Sequence, residues 1–236
     1  MKITYWSDYA CPYCYIGETY LKQAIAQLST DEPIEVEMKA FELDPSASKN
    51  YTGMTVDRFA WKYGLPKPQA AQRIEGISQI GREAGLDFHY AETRYTNTFD
   101  AHRLTKLAQS KGDADITDRI QERLYRAYFT DSLELADQDV LLRIAVEEGL
   151  DEQEVKALLE SDQFADEVRL EEREAQRMGV HGVPYFVIGG KYDIPGALSP
   201  DSMKDVLKRV LAEQKKTVAP EGMHCGPEGC VIGDHR

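Results

Sequence analysis

The sequence predicts an α/β fold whose strands fall into two distant groups separated by a long helical block. Three observations carry this prediction. Strand-like segments occur only near the two ends, at residues 2–7, 34–41, 184–190 and 192–196. The roughly 125 residues between them carry helical periodicity. A Cys-Pro-Tyr-Cys motif, Cys11 to Cys14, stands where the first strand gives way to the first helix.

In order, "KITYWS" has the β-branched and aromatic character of a strand. After the cysteines, Ile16, Leu21, Ala24, Ile25 and Leu28 form a helical stripe that starts at the motif. In "IEVEMKAF", Ile34, Val36, Met38 and Ala40 alternate with charged residues, the period of a strand with one buried face. Two helices follow, "TVDRFAWKYG" and "KPQAAQRIEGISQIGREAG", separated by Pro66 and each ending at a glycine. "FDAHRLTKLAQSKG", "DITDRIQERLYRAYF" and "DQDVLLRIAVEEG" are three more. "DEQEVKALLES" opens with Asp151 three residues before Glu154, a capping-box spacing, and a last helix of the block runs through "QFADEVRLEEREAQRMG". Strands return at "PYFVIGG" and "YDIPG", with Gly189-Gly190 marking a hairpin turn. "SPDSMKDVLKRVLAEQKK" is a closing helix, with Ser199 as N-cap and Pro200 at its first position.

Removing the block leaves strand-helix-strand followed by strand-strand-helix, the element order of a thioredoxin fold. The expectation is therefore a thioredoxin fold interrupted by a large α-helical insertion domain. Residues 1–48 and 179–217 form its two parts, 49–178 the insertion, and 218–236 a C-terminal tail. Loop-closure cost grows only slowly with length, so so long an insertion is tolerable.

The net charge of −13 is mostly local: residues 113–177 hold 20 acidic and 8 basic residues. Without a basic stripe the chain is a poor nucleic-acid binder, and without a polybasic patch it is not drawn to anionic lipid. No apolar run approaches the roughly 20 residues of a spanning helix. The N-terminus has no apolar h-region and no small-residue cleavage site, so the cytoplasm is the expected compartment. Four cysteines in such a chain do not make a disulfide scaffold, and a close pair points to catalysis or metal binding.

Thiol-disulfide exchange needs a thiolate nucleophile and a second thiol near enough to resolve the mixed disulfide. Cys11 falls at a helix start, where unpaired backbone N–H groups and the helix dipole stabilise a thiolate. Cys14 lies one turn further in and is more sheltered. Pro12 suits the first turn because it gives up an N–H that has no partner there. Cys11 is then the nucleophile and Cys14 the resolving thiol. The same spacing is half of a zinc knuckle, and two inert thiols are the third reading. The immediate passage from strand to long helix favours redox chemistry over a knuckle loop. No metal is assigned to the pair.

A distant element adds to this. "HGVPYFVIGG" places Pro184 at the first position of a strand, where proline is tolerated. Together the first strand, "CPYC", the helical insertion and "GVPYFV" resemble the DsbA-type thioredoxin-fold proteins. "CPYCYIG" and "FDAHRL" resemble motifs of the FrnE-like branch, related to 2-hydroxychromene-2-carboxylate isomerases and kappa-class glutathione transferases. The resemblance spans nearly all of residues 1–215. It implies a cis Val183-Pro184 bond facing the cysteines, and a preceding loop that offers backbone groups to an extended substrate peptide. Relatives often carry Trp where this chain has Tyr13, a departure that bears on redox potential. The isomerase and transferase relatives typically carry Ser in place of Cys11 and use glutathione, so a glutathione-dependent isomerase or transferase is the second function class.

The tail, "MHCGPEGCVIGDH", holds Cys225 and Cys230 with His224 and His235 beside them. It reads as an auxiliary dithiol, which some FrnE-like members resemble, as a zinc site, or as a passive tail. The second option makes a zinc-binding interaction module the third class. His102 reads as a buried, hydrogen-bonded histidine rather than a general base. His181 precedes the proline loop and is a candidate for tuning the thiolate. Trp61, Tyr63, Tyr125, Tyr128 and Phe129, at helical spacing, read as core. No Gly-rich phosphate loop is present. The expected protein is a thiol-disulfide oxidoreductase or isomerase, a monomer or homodimer. It would act on protein or small-molecule thiols and disulfides with no resident cofactor, glutathione entering only as reductant or co-substrate.

Overall fold

The computed structural model describes residues 1–218, 224–226 and 229–231, with side chains to residue 215. Strand β1 (Lys2–Ser7) leads into helix α1 (Pro12–Ala26) and then β2 (Glu35–Ala40). Seven helices follow: α2 (Thr55–Tyr63), α3 (Lys67–Glu83), α4 (Phe99–Ser110), α5 (Ala114–Phe129), α6 (Gln138–Glu147), α7 (Glu152–Leu159) and α8 (Ala165–Arg177). The hairpin β3 (Tyr185–Ile188) and β4 (Tyr192–Pro195) precedes α9 (Pro200–Val218). In the tail, β5 (His224–Gly226) pairs with β6 (Gly229–Val231).

The main sheet has the order β2-β1-β3-β4. β1 runs parallel to β2 and antiparallel to β3, so the strand that leads into the cysteine motif is central and is completed by residues about 180 positions later. This is the expected thioredoxin fold, with α2 to α8 inserted between β2 and β3. α1 packs against α9, and α8 lies along β2. Gly189 and Gly190, with φ of 62° and 68°, turn the hairpin in a conformation glycine adopts without steric cost. Asp151 caps α7 by accepting from the N–H groups of Gln153 and Glu154. Among the described residues no helix is long and apolar enough to cross a membrane.

One core runs from the sheet into the helical block without a break, through Ile3, Tyr5, Phe186 and Leu207 to Leu104, Leu124 and Ile144. A smaller cluster of Trp6, Ala175 and Val180 sits under α8. There the Trp6 indole N–H donates to the Glu171 carbonyl at 3.0 Å, and the Lys39 ammonium lies 5.1 Å from its ring.

Two expectations are corrected. The buried face of β2 covers only Met38 and Ala40; Val36 is 44% exposed, because the first half of this edge strand borders an open cavity lined by Glu18 and Lys22 of α1 and Asp115 and Asp118 of α5. Trp61 and Tyr63 are not core. They are 85% and 53% exposed on α2, whereas Tyr125, Tyr128 and Phe129 are buried as expected. α2 packs through Phe59 and Ala60, which leaves Trp61 and Tyr63 outside its contact face.

Candidate active site

The loop between β1 and α1 is organised by Asp8. Its buried carboxylate accepts the N–H groups of Ala10 (3.2 Å) and Leu43 (2.7 Å) and the Thr98 hydroxyl (2.9 Å), while its carbonyl accepts the Cys11 N–H at 3.0 Å. Burial pushes this carboxyl up. The nearby His102 and the two backbone N–H donors outweigh burial and leave it below the ordinary carboxylate value.

Cys11 therefore arrives as the N-cap of α1 in an extended conformation, with Pro12 beginning the helix. Cys14 follows one turn later and is fully buried. Burial, with the adjacent Cys11 thiol adding to it, pushes the Cys14 thiol well above its ordinary value, against a smaller pull from the Ser7 hydroxyl and the Asp8 backbone. The first turn of α1 is held from the far side by Tyr15, whose ring stacks on Tyr125 at 4.8 Å and 3°.

The opposite wall is the loop before β3. The Val183-Pro184 bond is cis, and the Cys11 thiol donates to the Val183 carbonyl at 3.4 Å. α1 and this loop approach closely at Gly17, where a Cβ would lie 3.0 Å from the Pro184 Cγ. The Cys11/Cys14 pair and Pro184, which lie far apart in the chain, are thus brought together. Tyr13 projects outward, 42% exposed.

Cys11, Pro12, Tyr13, Gly182 and Val183 form one side of a cavity of about 530 Å³. The far side is built by Arg58, Lys62 and Tyr63 of α2, Arg73 and Ile80 of α3, and Tyr90 and Tyr95. The Arg58 guanidinium stacks 3.5 Å over the Tyr95 ring. Sequence reasoning missed this cation-bearing wall. Its signal was the spacing of Arg58 and Lys62, one turn apart on one face with no acid between them on that face. It missed Asp8 as well, whose signal is an Asp two residues before the N–H it binds, an Asx-turn spacing.

The described histidine side chains do not enter the cavity. His102 is buried as expected, but its Nε2 is 3.8 Å from Asp8 and has no hydrogen-bond partner among the described residues, which corrects the hydrogen-bonded reading at that atom. His181 is exposed and does not line the cavity. Among the described residues no group of three His, Cys, Asp or Glu side chains is arranged to hold a metal ion. The side chains of Cys225, Cys230 and His224 lie outside the described residues, as does all of His235. The backbone of the tail strands places Cys225 directly opposite Cys230.

The DSBA-like thioredoxin domain family matches residues 2–208 of this chain. Among solved structures, a probable DsbA oxidoreductase from Streptomyces coelicolor is 32% identical, with a TM-score of 0.85 over 99% of this chain and 100% of that one. A 2-hydroxychromene-2-carboxylate isomerase shares the fold at 13% identity, with a TM-score of 0.66 over 93% of this chain and 100% of that one. The cytosolic disulfide reductase DsbM from Pseudomonas aeruginosa, solved with GSH, does so at 15% identity, with a TM-score of 0.58 over 93% and 100%.

Proposed function

Because the chain belongs to the DsbA-like thioredoxin family, we propose that it is a thiol-disulfide oxidoreductase in which Cys11 is the nucleophile and Cys14 the resolving thiol. The Cys11 thiolate attacks a substrate disulfide; one S–S bond forms as the substrate's breaks, and the released substrate thiolate takes up a proton. Cys14, deprotonated, then displaces the second substrate thiol and closes a Cys11–Cys14 disulfide, so two electrons pass to the substrate. After a substrate disulfide has been reduced, two equivalents of a cellular thiol such as glutathione reduce the Cys11–Cys14 disulfide and leave as their own disulfide; the reverse sequence oxidises a dithiol and leaves the enzyme reduced, to be reset by a cellular disulfide.

One observation carries this reading. The Cys11 thiol stands at the N-cap of α1, faces the Val183 carbonyl beside cis-Pro184 and opens onto a cavity, while Cys14 is sealed beneath it. Insulin reduction by the full chain tests it. Activity lost in Cys11→Ser supports the assignment; a Cys11→Ser protein that retains wild-type turnover overturns it.

A glutathione-dependent isomerase or transferase is the second reading, favoured by the fold shared with the isomerase and the GSH-bound reductase and by the cations in the cavity. It requires saturable glutathione binding and an activity that survives Cys14→Ser. The cytoplasm is the proposed compartment, by analogy with DsbM.

Cys225 and Cys230 form the proposed auxiliary pair. Antiparallel partners have Cα atoms about 4.5–5.5 Å apart, inside the span of about 4.4–6.8 Å that a disulfide bridges. In Cys11→Ser/Cys14→Ser protein, thiol titration after mild oxidation should find the two tail thiols consumed.

A further inference from the structure

The cavity beside Cys11 differs in charge from the rest of the molecule. Among the described residues its lining contains Arg58, Lys62 and Arg73 and no Asp or Glu, in a chain of net charge −13. A second cavity of the same volume, about 530 Å³, is lined by six carboxylates and the single cation Lys22. The positive lining is therefore a local arrangement and not the average surface.

None of the three cations is engaged by a carboxylate among the described residues. Arg58 stacks on Tyr95 with its Nε buried and unpartnered, and the Lys62 ammonium lies 5.8 Å from the Tyr63 ring. The one acid within α2, Asp57, is turned away into an ion pair with Lys67 at 2.7 Å. Elsewhere the basic side chains are mostly paired with acids, as at Lys106–Glu171 and Arg103–Asp100. Free cations facing an apolar cleft raise the local concentration of an anionic partner and steer its approach.

The rim points to the size of that partner. Tyr13, Leu43, Tyr63 and Ile80 are all exposed and all line the cavity mouth, with Trp61, 85% exposed, on the same helix as Tyr63. An exposed apolar rim extending past a cavity fits a polypeptide that continues beyond the reacting sulfur better than a ligand held wholly inside.

We propose that this groove selects polypeptide disulfides whose reacting cysteine is flanked by acidic residues, with Arg58, Lys62 and Arg73 as the specificity-determining cations. The proposal rests on the redox role of Cys11. The carboxylates sit against the cations of α2 and α3, the exposed aromatic side chains cover the adjoining peptide, and the disulfide is presented to Cys11.

The test uses reduced full-length protein in excess over two synthetic peptides that close the same intramolecular disulfide, one flanked by four Glu and the other by four Lys. Oxidised glutathione serves as a third probe. The second-order rate with the Glu peptide should exceed that with the Lys peptide by about tenfold at low salt, and the ratio should fall as salt screens the groove. In Lys62→Gln/Arg73→Gln the ratio should drop toward unity, with the far-UV circular dichroism melting curve confirming the fold.

Equal rates for the two peptides in wild-type protein would overturn the proposal and leave the oxidoreductase reading standing. So would an undiminished ratio in the double variant. Oxidised glutathione reacting as fast as the Glu peptide, with the same salt dependence, would reassign the cations to a small anionic disulfide. If none of the three probes is reduced, the redox role itself fails and the proposal with it.

Discussion

Gly17 and Pro184 meet with almost no space between them: a Cβ on Gly17 would stand 3.0 Å from the Pro184 Cγ and 3.3 Å from the Ala197 Cβ. Three residues past Cys14, α1 leans directly on the loop whose Val183 carbonyl faces Cys11. The spacing of the two walls of the site is fixed at this contact.

Gly17→Val should therefore push the loop from α1. Overpacking a buried contact costs about 1–3 kcal/mol, so the melting temperature should fall. Insulin reduction should fall further than stability alone accounts for. A variant with wild-type melting and turnover would show that the contact is not limiting.

In the proposed mechanism, the burial of Cys14 gives the resolving step a pH dependence. Its thiol is raised well above the ordinary range, so it is protonated at neutral pH and its thiolate fraction grows about tenfold per pH unit below its pKa. The mixed disulfide between Cys11 and a substrate peptide should consequently decay faster as pH rises from 7 to 9. Quenched-flow mass spectrometry reads this directly. Cys14→Ser should accumulate the adduct with a lifetime that lacks this rise.

Asp8 is the depressed partner of its cluster, so the sign is opposite. Its contribution to stability is present above the unfolded value of about 3.9 and is lost as pH falls through the lower folded value. Asp8→Asn turns an amide N–H₂ toward donors that need an acceptor. It should cost about 1–3 kcal/mol at pH 7, and the deficit relative to wild type should shrink as pH drops below 4 in chemical denaturation curves.

Arg103, buried in α4, donates to the Asp100 carboxylate and the Gln163 carbonyl at 2.8 Å each, to the Leu158 carbonyl at 2.6 Å, and to the Ser161 carbonyl. It closes the C-terminal end of α7. Arg103→Ala removes all four and should destabilise the protein by about 3–5 kcal/mol. Arg103→Lys should rescue only part of this, because an ammonium cannot reproduce the planar fork. Differential scanning calorimetry of the pair distinguishes lost geometry from lost charge.

The element order, the hairpin glycines and the placement of Cys11 at a strand-to-helix junction were legible in the sequence because they follow from local chemistry: periodicity, caps and turn residues. Cys225 opposite Cys230 was not, since strand register is set by pairing and three-residue strands carry little periodicity. Trp61 and Tyr63 were misread for a related reason. Helical spacing places side chains on a face, but only the packing of Phe59 and Ala60 decides which face is inside. The cations opposite Cys11 come from two helices of the insertion, and no pattern in residues 1–48 points to them.

The pairing of β1 with β3 sets the order of events during synthesis. Cys11 leaves the ribosome early, whereas Val183, its neighbour in the finished site, is translated 172 residues later. Over that interval the nascent chain carries the two cysteines with no opposing wall, no β3 beside β1 and no closed cavity. The thiol pair acquires its environment only when most of the polypeptide has been made. Chains that terminate prematurely before residue 183 therefore carry the motif without the site.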